Sequence, residues 1–251
     1  MVHVDARVGL PETISAALFD LDGVLTSTAA VHERAWKQVF DEFLVQWCGP
    51  GTPLFSGADY RDHVDGLPRL DGVRAFLKSR DITVPEGDGG EHGGEWTVRG
   101  IGDRKDRVLR GLIDREGVHV YPGSADYLTA VRAAGLRIGV VSSSANAAAV
   151  LTAADLACFV EIRIDGKTFA ERGLAGKPAP DGFLAGAAGL GVRPDECAVF
   201  EDAIAGVAAG HAGKFGFVVG VERTGEPEHA RALRDAGANI VVTDLSELGE
   251  R

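Results

Sequence analysis

Asp20 and Asp22 stand two residues apart where an apolar run, AALF, breaks into DLDG. Two carboxylates that close resist ionising together unless a cation lies between them. Three more polar sets sit in similar places. Ser142, Ser143 and Ser144 follow RIGVV, Glu201 and Asp202 follow CAVF, and Lys177 lies in the loop GLAGKPAPDGF. In an open parallel sheet, ligands bind beyond the carboxyl ends of the strands. The four segments are therefore expected to meet in one crevice, gathering three aspartates, a glutamate, hydroxyls and an ammonium. Facing carboxylates with only oxygen donors ask for a hard divalent cation, Mg²⁺.

The elements that must position these groups can be read from the apolar pattern. Short runs at Ala16–Phe19, Arg137–Val141, Cys197–Phe200, Phe215–Val219 and Asn239–Val242 suit strands buried on both faces. Between them, Ser124–Ala134, Ala145–Ala154, Pro180–Leu190 and Ala203–Ala212 are helical, three of them stopped by Gly135, Gly191 and Gly213. The alternation predicts an α/β fold, a doubly wound and mostly parallel sheet with a Rossmann-like core. From Ala30 to about Gly111 the strands stop. VHERAWKQVFDEFL, VRAFLKSR and DRVLRGLI predict helices there, and PEGDGGEHGGEW, residues 85–96, predicts an exposed flexible loop. A helical segment is thus inserted after the first strand.

Composition narrows the classes of partner. With 251 residues the chain can bury a large core, and a net charge of −11 opposes nucleic acid and anionic membrane surfaces. A small phosphorylated ligand is still compatible, because a metal ion and a few placed cations reverse the sign locally. The three cysteines, Cys48, Cys158 and Cys197, are widely spaced and read as buried free thiols in a reducing cytoplasm. His3, His63, His92, His119, His211 and His229 show no zinc-ligand spacing. The opening residues carry no signal pattern, and no run is long and apolar enough to span a bilayer. The chain reads as a cytoplasmic monomer.

DLDGVLTST, SSS after GVV, Lys177 in GKPAPD and the acid pair in FEDAIAGVAAG resemble, in order, the four motifs of the haloacid-dehalogenase-like phosphotransferases. A lone DxDG is a weak signal, since acidic turns at strand ends are common. All four in order, from about Ile14 to the C-terminus, are specific. Within this superfamily the chain is similar to the β-phosphoglucomutase subgroup, in its actinobacterial branch. DLDGVLTSTAAVHERAW carries Thr28, His32 and Trp36 at the subgroup's spacing, and DGLPRLDG resembles its substrate-reading stretch.

The resemblance implies a core domain of residues 1–29 and 112–251 and a helical cap domain of residues 30–111 that closes over the site. It implies an Mg²⁺-dependent transfer on sugar phosphates through an aspartyl-phosphate, converting β-glucose 1-phosphate to glucose 6-phosphate. Asp20 would be the nucleophile and Asp22 the general acid and base. Ser142 and Lys177 would hold the phosphoryl oxygens. Asp20, Asp202 and the main-chain carbonyl of Asp22 would bind the metal, with Glu201 supporting its waters. Thr28, His32, Gly66, Arg69, Lys105, Ser143, Ser144 and Asn146 would meet the sugar phosphate.

Several of these residues also have structural readings. Glu201 and Asp202 suit a helix N-terminus, and Ser144 or Asn146 could cap the helix that follows. His32 could be a packed helix histidine, Trp36 a core residue, and Arg104 and Lys105 surface charge. Two positions depart from the mutase pattern: Ala145 and Asp65 stand where basic residues are expected. One missing charge-assisted hydrogen bond weakens phosphate binding about ten- to a hundredfold. Hydrolysis of a sugar phosphate by the same residues is therefore the alternative. A signalling receiver is excluded because its acceptor lies on a later strand of a chain half as long. An inactive binding module is disfavoured by the intact Asp20, Asp22, Lys177 and Asp202.

Overall fold

The computed structural model describes residues 4–5, 8–88 and 96–249. It divides into two compact units, Met1–Ser27 with Val118–Arg251, and Thr28–Gly117. The second joint falls six residues later than the 111/112 boundary expected from sequence, because the last inserted helix runs unbroken to Glu116 and stops at Gly117, φ +76°. His3 and His92 lie outside the described residues, as does the centre of the glycine-rich loop, 89–95.

In the first unit, β1 (Val4–Asp5) and β2 (Leu10–Pro11) form a short antiparallel pair, and β3 (Ala16–Phe19) begins the main sheet. The helices α1 (Thr28–Cys48), α2 (Gly57–His63), α3 (Arg69–Ser79) and α4 (Val98–Glu116) make the second unit. The chain then returns through α5 (Pro122–Ala133), β4 (Arg137–Val141), α6 (Ala147–Ala153), β5 (Ile162–Ile164), α7 (Gly166–Arg172) and α8 (Asp181–Leu190). It ends with β6 (Cys197–Glu201), α9 (Ile204–Ala212), β7 (Phe217–Val221), α10 (Pro227–Asp235) and β8 (Ile240–Val242).

The six main strands are all parallel, in the order β5-β4-β3-β6-β7-β8. Every side chain of β3 is buried. Successive strand residues point to opposite faces, and both are covered. Leu18 packs with Phe183 of α8 and Val199, while Phe19 stacks on Phe200 at 4.3 Å and meets Tyr127 of α5 edge-on. The sheet is therefore doubly wound, with the strand direction of travel reversing around β3. Loops at such a reversal splay apart and leave a crevice.

Three elements had weak signals. β5 is three residues, Ile-Arg-Ile, at the sheet edge, and α7 and α10 bury only one or two side chains each in charged sequence. In the helical unit α2 was likewise missed, and α4 extends eight residues before the expected Asp106. Its core is aromatic: Phe40 packs on Trp36, Phe55 and Phe76 with ring centroids 4.1–5.0 Å apart. Trp36 is thus a core residue. Truncating such a ring costs about 3–5 kcal/mol. The cysteines correct the sequence reading, since Cys48 and Cys158 are exposed and only Cys197 is buried. Burial, followed by Glu196 and Asp195, pushes the Cys197 thiol up to about 12.

Candidate active site

Register brings the strand-end acids level. Phe19 lies opposite Phe200 on one side and Val140 on the other, so Asp20 comes opposite Glu201. The Asp20 N–H completes this ladder by donating to Phe200 O at 2.9 Å. Ser142 follows β4 directly, with its N–H donating to Ile164 O of β5. Backbone hydrogen bonding thus places the start of three of the four segments.

Lys177 brings the fourth. Its ammonium is buried, lies 2.5 Å from Asp20 Oδ1, and also pairs with Glu201. The ring of Phe183 lies 5.3 Å away, over the first turn of α8. The Lys177–Pro178 peptide is cis. Glu201 also accepts the N–H of Ala203 at 3.0 Å, and Gly206 makes room for it, since a Cβ there would occupy the position of the carboxylate. The Glu201 carboxylate, which the resemblance sets beside the waters of a metal ion, pairs with Lys177 and the start of α9.

The DLDG turn is equally constrained. Gly23 has φ +95°, and a Cβ on it would collide with the Asp202 carboxylate. Glycine therefore serves both the turn and the close approach of Asp202. Ser142 Oγ donates to Asp22 Oδ2 at 3.3 Å and accepts the Ser144 N–H at 3.1 Å. Ser144 Oγ in turn accepts from Asn146 N–H. Asn146 occupies the N-cap position of α6 without a side-chain cap bond, so neither candidate cap works as expected. Ser143 and Ala145 close the loop against Gly166.

Charge at this site is unbalanced. Asp20 and Glu201 share the Lys177 ammonium, and Asp22 adds a further negative charge beside Asp20. Burial, and then Glu201 and Asp22, push the Asp20 carboxyl well above its usual range, while Lys177 pulls the other way. Burial disfavours the Lys177 ammonium, but Asp20 and Glu201 outweigh it and raise its pKa. Such an excess of buried carboxylate fits a divalent cation. Among the described residues no three carboxylate, imidazole or thiolate side chains form a ready-made cage. Two carboxylates and a main-chain carbonyl, the set implied by the resemblance, do not require one.

The helical unit holds the remaining candidates. Thr28, buried, and His32 lie one turn apart at the start of α1. Lys105 is buried rather than on the surface: it bonds His32 Nδ1 at 3.0 Å and lies 5.0 Å over the Trp36 ring. Arg104 stacks on Trp96 and pairs with Glu42. Gly66 has φ +73° in the turn after α2, next to Asp65. Arg69 opens α3 and pairs with Asp103 and Asp106 at 3.1 and 3.0 Å. No helix among the described residues is long and apolar enough to cross a membrane.

This arrangement is matched by known proteins. A family model for haloacid dehalogenase-like hydrolases matches residues 14–214, and the chain belongs to that family. It is an enzyme of the phosphotransferase and phosphatase type. It is 52% identical over 251 residues to a β-phosphoglucomutase of Mycobacterium bovis, covering 98% of this chain and 96% of that one. A Bacillus subtilis β-phosphoglucomutase is 30% identical, over 94% of this chain and 92% of its own. The crystal structure of a Clostridium difficile β-phosphoglucomutase superposes with a TM-score of 0.73 at 27% identity, covering 94% of this chain and 93% of that one. Proteins of this type generally use a divalent metal.

Sequence reasoning missed the residues that support the site from behind. Gly206 stands in FEDAIAGVAAG, where nothing in the pattern sets it apart from Gly210. Arg223, which reaches the DLDG turn from the end of β7, left no spacing signal because 200 residues separate the two.

Proposed function

We propose that this protein is a β-phosphoglucomutase, using Mg²⁺ to interconvert β-glucose 1-phosphate and glucose 6-phosphate through a bisphosphate. The observation that carries the reading is the buried Lys177 ammonium held between Asp20 and Glu201, at the strand ends that also bear Asp22 and Ser142. The 52% identity to a mutase supports the choice within the family.

In this reading a carboxylate oxygen of Asp20 attacks phosphorus while the bond from phosphorus to the sugar oxygen breaks. Asp22 gives its proton to that oxygen. The phosphoryl group on Asp20 then passes to the 6-hydroxyl of β-glucose 1-phosphate, whose proton goes to Asp22. The bisphosphate so formed turns to present its 1-phosphate to the freed Asp20 and leaves as glucose 6-phosphate. Lys177 and Ser142 bind the non-bridging oxygens, and Glu201 keeps Lys177 in place. Asp20, Asp202 and the Asp22 carbonyl would hold Mg²⁺, which when bound offsets the charge of the phosphoryl group and its acids. Ser143, Ser144 and Asn146, with Thr28, His32, Gly66, Arg69 and Lys105, serve sugar and phosphate recognition. Such a transfer depends mainly on positioning and charge.

A second reading, hydrolysis of a sugar phosphate, is favoured by Ala145 and Asp65 and by the two aspartates that already occupy Arg69. One assay decides. With β-glucose 1-phosphate, Mg²⁺ and a trace of the bisphosphate, the mutase yields glucose 6-phosphate. Release of inorganic phosphate without glucose 6-phosphate overturns it.

A further inference from the structure

Arg223 lies just beyond β7, far in sequence from every residue assigned a chemical role. Its Nε donates to Gly23 O at 2.9 Å and its Nη2 to Val24 O at 3.2 Å. Nη1 donates to Thr243 O at 2.6 Å and faces Asp244 Oδ2 at 3.4 Å. The guanidinium carbon lies 3.6 Å from the centre of the Tyr121 ring. One side chain thus ties the DLDG turn to the end of β8 and to the residue before α5.

We propose that Arg223 is a positioning residue for phosphoryl transfer, fixing the peptides that carry Asp22. The inference rests on the assignment of Asp20 and Asp22 to that chemistry. Gly23 N–H donates to Thr26 O at 2.7 Å. In a trans peptide the Asp22 carbonyl points the opposite way. The next carbonyl, that of Gly23, is held by Arg223, so two successive peptides are restrained from different sides. Asp202 packs against the Gly23 Cα between them. Val24 O is held twice, by Arg223 and by Ser124 Oγ at 2.8 Å. Without the guanidinium, the Gly23 carbonyl loses its restraint, and the turn that carries the Asp22 carbonyl and side chain is held from the Thr26 and Ser124 sides with wider rotation at Gly23. A lysine could not replace it: a rigid fork reaches neighbouring carbonyls together and stacks flat on an aromatic ring, whereas an ammonium does neither.

The test compares wild type, Arg223→Met and Arg223→Lys, with rates expressed per folded molecule and Mg²⁺ titrated. Two substrates are used, β-glucose 1-phosphate and p-nitrophenyl phosphate. Both variants are expected to lose about ten- to a hundredfold in kcat on either substrate, with KM moving less than about threefold. The Mg²⁺ concentration for half-maximal rate should rise several-fold. A purely structural Arg223 would lower the melting temperature and leave kcat per folded molecule and Mg²⁺ requirement unchanged, which overturns the proposal. If Arg223→Met does not fold, Arg223→Lys decides by the same criteria. A wild type that hydrolyses the ester but forms no glucose 6-phosphate overturns the mutase reading alone, and the Arg223 comparison then stands on hydrolysis.

Discussion

The sheet unit and the helical unit hold their polar residues in different ways. At the strand ends, position follows from backbone register: Asp20 is level with Glu201 because Phe19 is level with Phe200. Side chains there meet groups that cannot move without breaking the sheet. In the helical unit, Arg69 and Lys105 are held by side chains on neighbouring helices, Asp103, Asp106 and His32. The Arg69 contacts can be exchanged for others at modest cost, because a half-exposed ion pair is worth about 0–1 kcal/mol. Rigid strand ends suit a reaction whose geometry is the same for every phosphate ester. Exchangeable helix contacts suit recognition, which differs between substrates.

The comparison predicts its largest effect at Asp20. Asp20→Asn should lower turnover of any phosphate ester by about 10⁴-fold or more, as loss of a nucleophile does. No phosphorylated protein should then be trapped on acid quenching. Lys177→Met is expected to cost about 10²–10³-fold in kcat, the scale of losing one placed charge at a developing anion. It also leaves Asp20 and Glu201 without their buried counter-ion, so the protein should melt at a lower temperature. Added Mg²⁺ should recover part of that loss, because the cation supplies positive charge to the same carboxylates. A melting temperature indifferent to Mg²⁺ would argue against a cation at this site.

A smaller and more selective effect is expected in the helical unit. Arg69→Ala should raise KM for the phosphosugar about ten- to a hundredfold, the worth of one charge-assisted phosphate contact. Hydrolysis of p-nitrophenyl phosphate, which offers no second phosphate or sugar, should change less than about twofold, and stability by no more than about 1 kcal/mol. Equal losses on both substrates would erase the distinction between the two units.

The same distinction explains what could be read in the sequence. Asp20, Ser142, Lys177, Glu201 and Asp202 each follow or precede a strong local signal, a buried strand or a Pro-opened helix, and the parallel-sheet rule supplies their meeting point. The sequence has no comparable rule for β5 or α10, whose positions come from packing at the sheet edge, or for Lys105, whose burial depends on a helix facing α1. Arg223 shows the limit most clearly. Its partners are main-chain carbonyls, which have no residue identity to pattern against. The exposure of Cys48 and Cys158 escapes the sequence for a related reason: cysteine's usual burial is a tendency of the residue type, and the end of α1 and the exposed short turn Ala157–Phe159 override it.

The smallest effect tests whether support for the site can be weakened without touching it. Asp165 caps α7, accepting the N–H groups of Lys167 and Thr168, and pairs with Arg163 at 2.8 Å. The next residue, Gly166, lies against the Ser143–Ala145 loop and donates its N–H to Ser144 O. Burial opposes ionisation of Asp165, but the Thr168 and Arg163 contacts outweigh it and hold the carboxyl below its usual range. Its contribution to stability is therefore complete above the unfolded value, near about pH 4, and is lost as pH falls through the lower folded value. Asp165→Asn keeps a capping oxygen but loses the charge that faces Arg163, so it should cost up to about 1 kcal/mol at pH 7, with the gap to wild type closing in acid as the native carboxyl gains its proton. The check is urea unfolding of both proteins between pH 7 and pH 2.5, beside kcat at pH 7. If kcat falls with stability, the serine loop depends on side-chain support as Arg69 does; if only stability falls, strand register holds the serine loop.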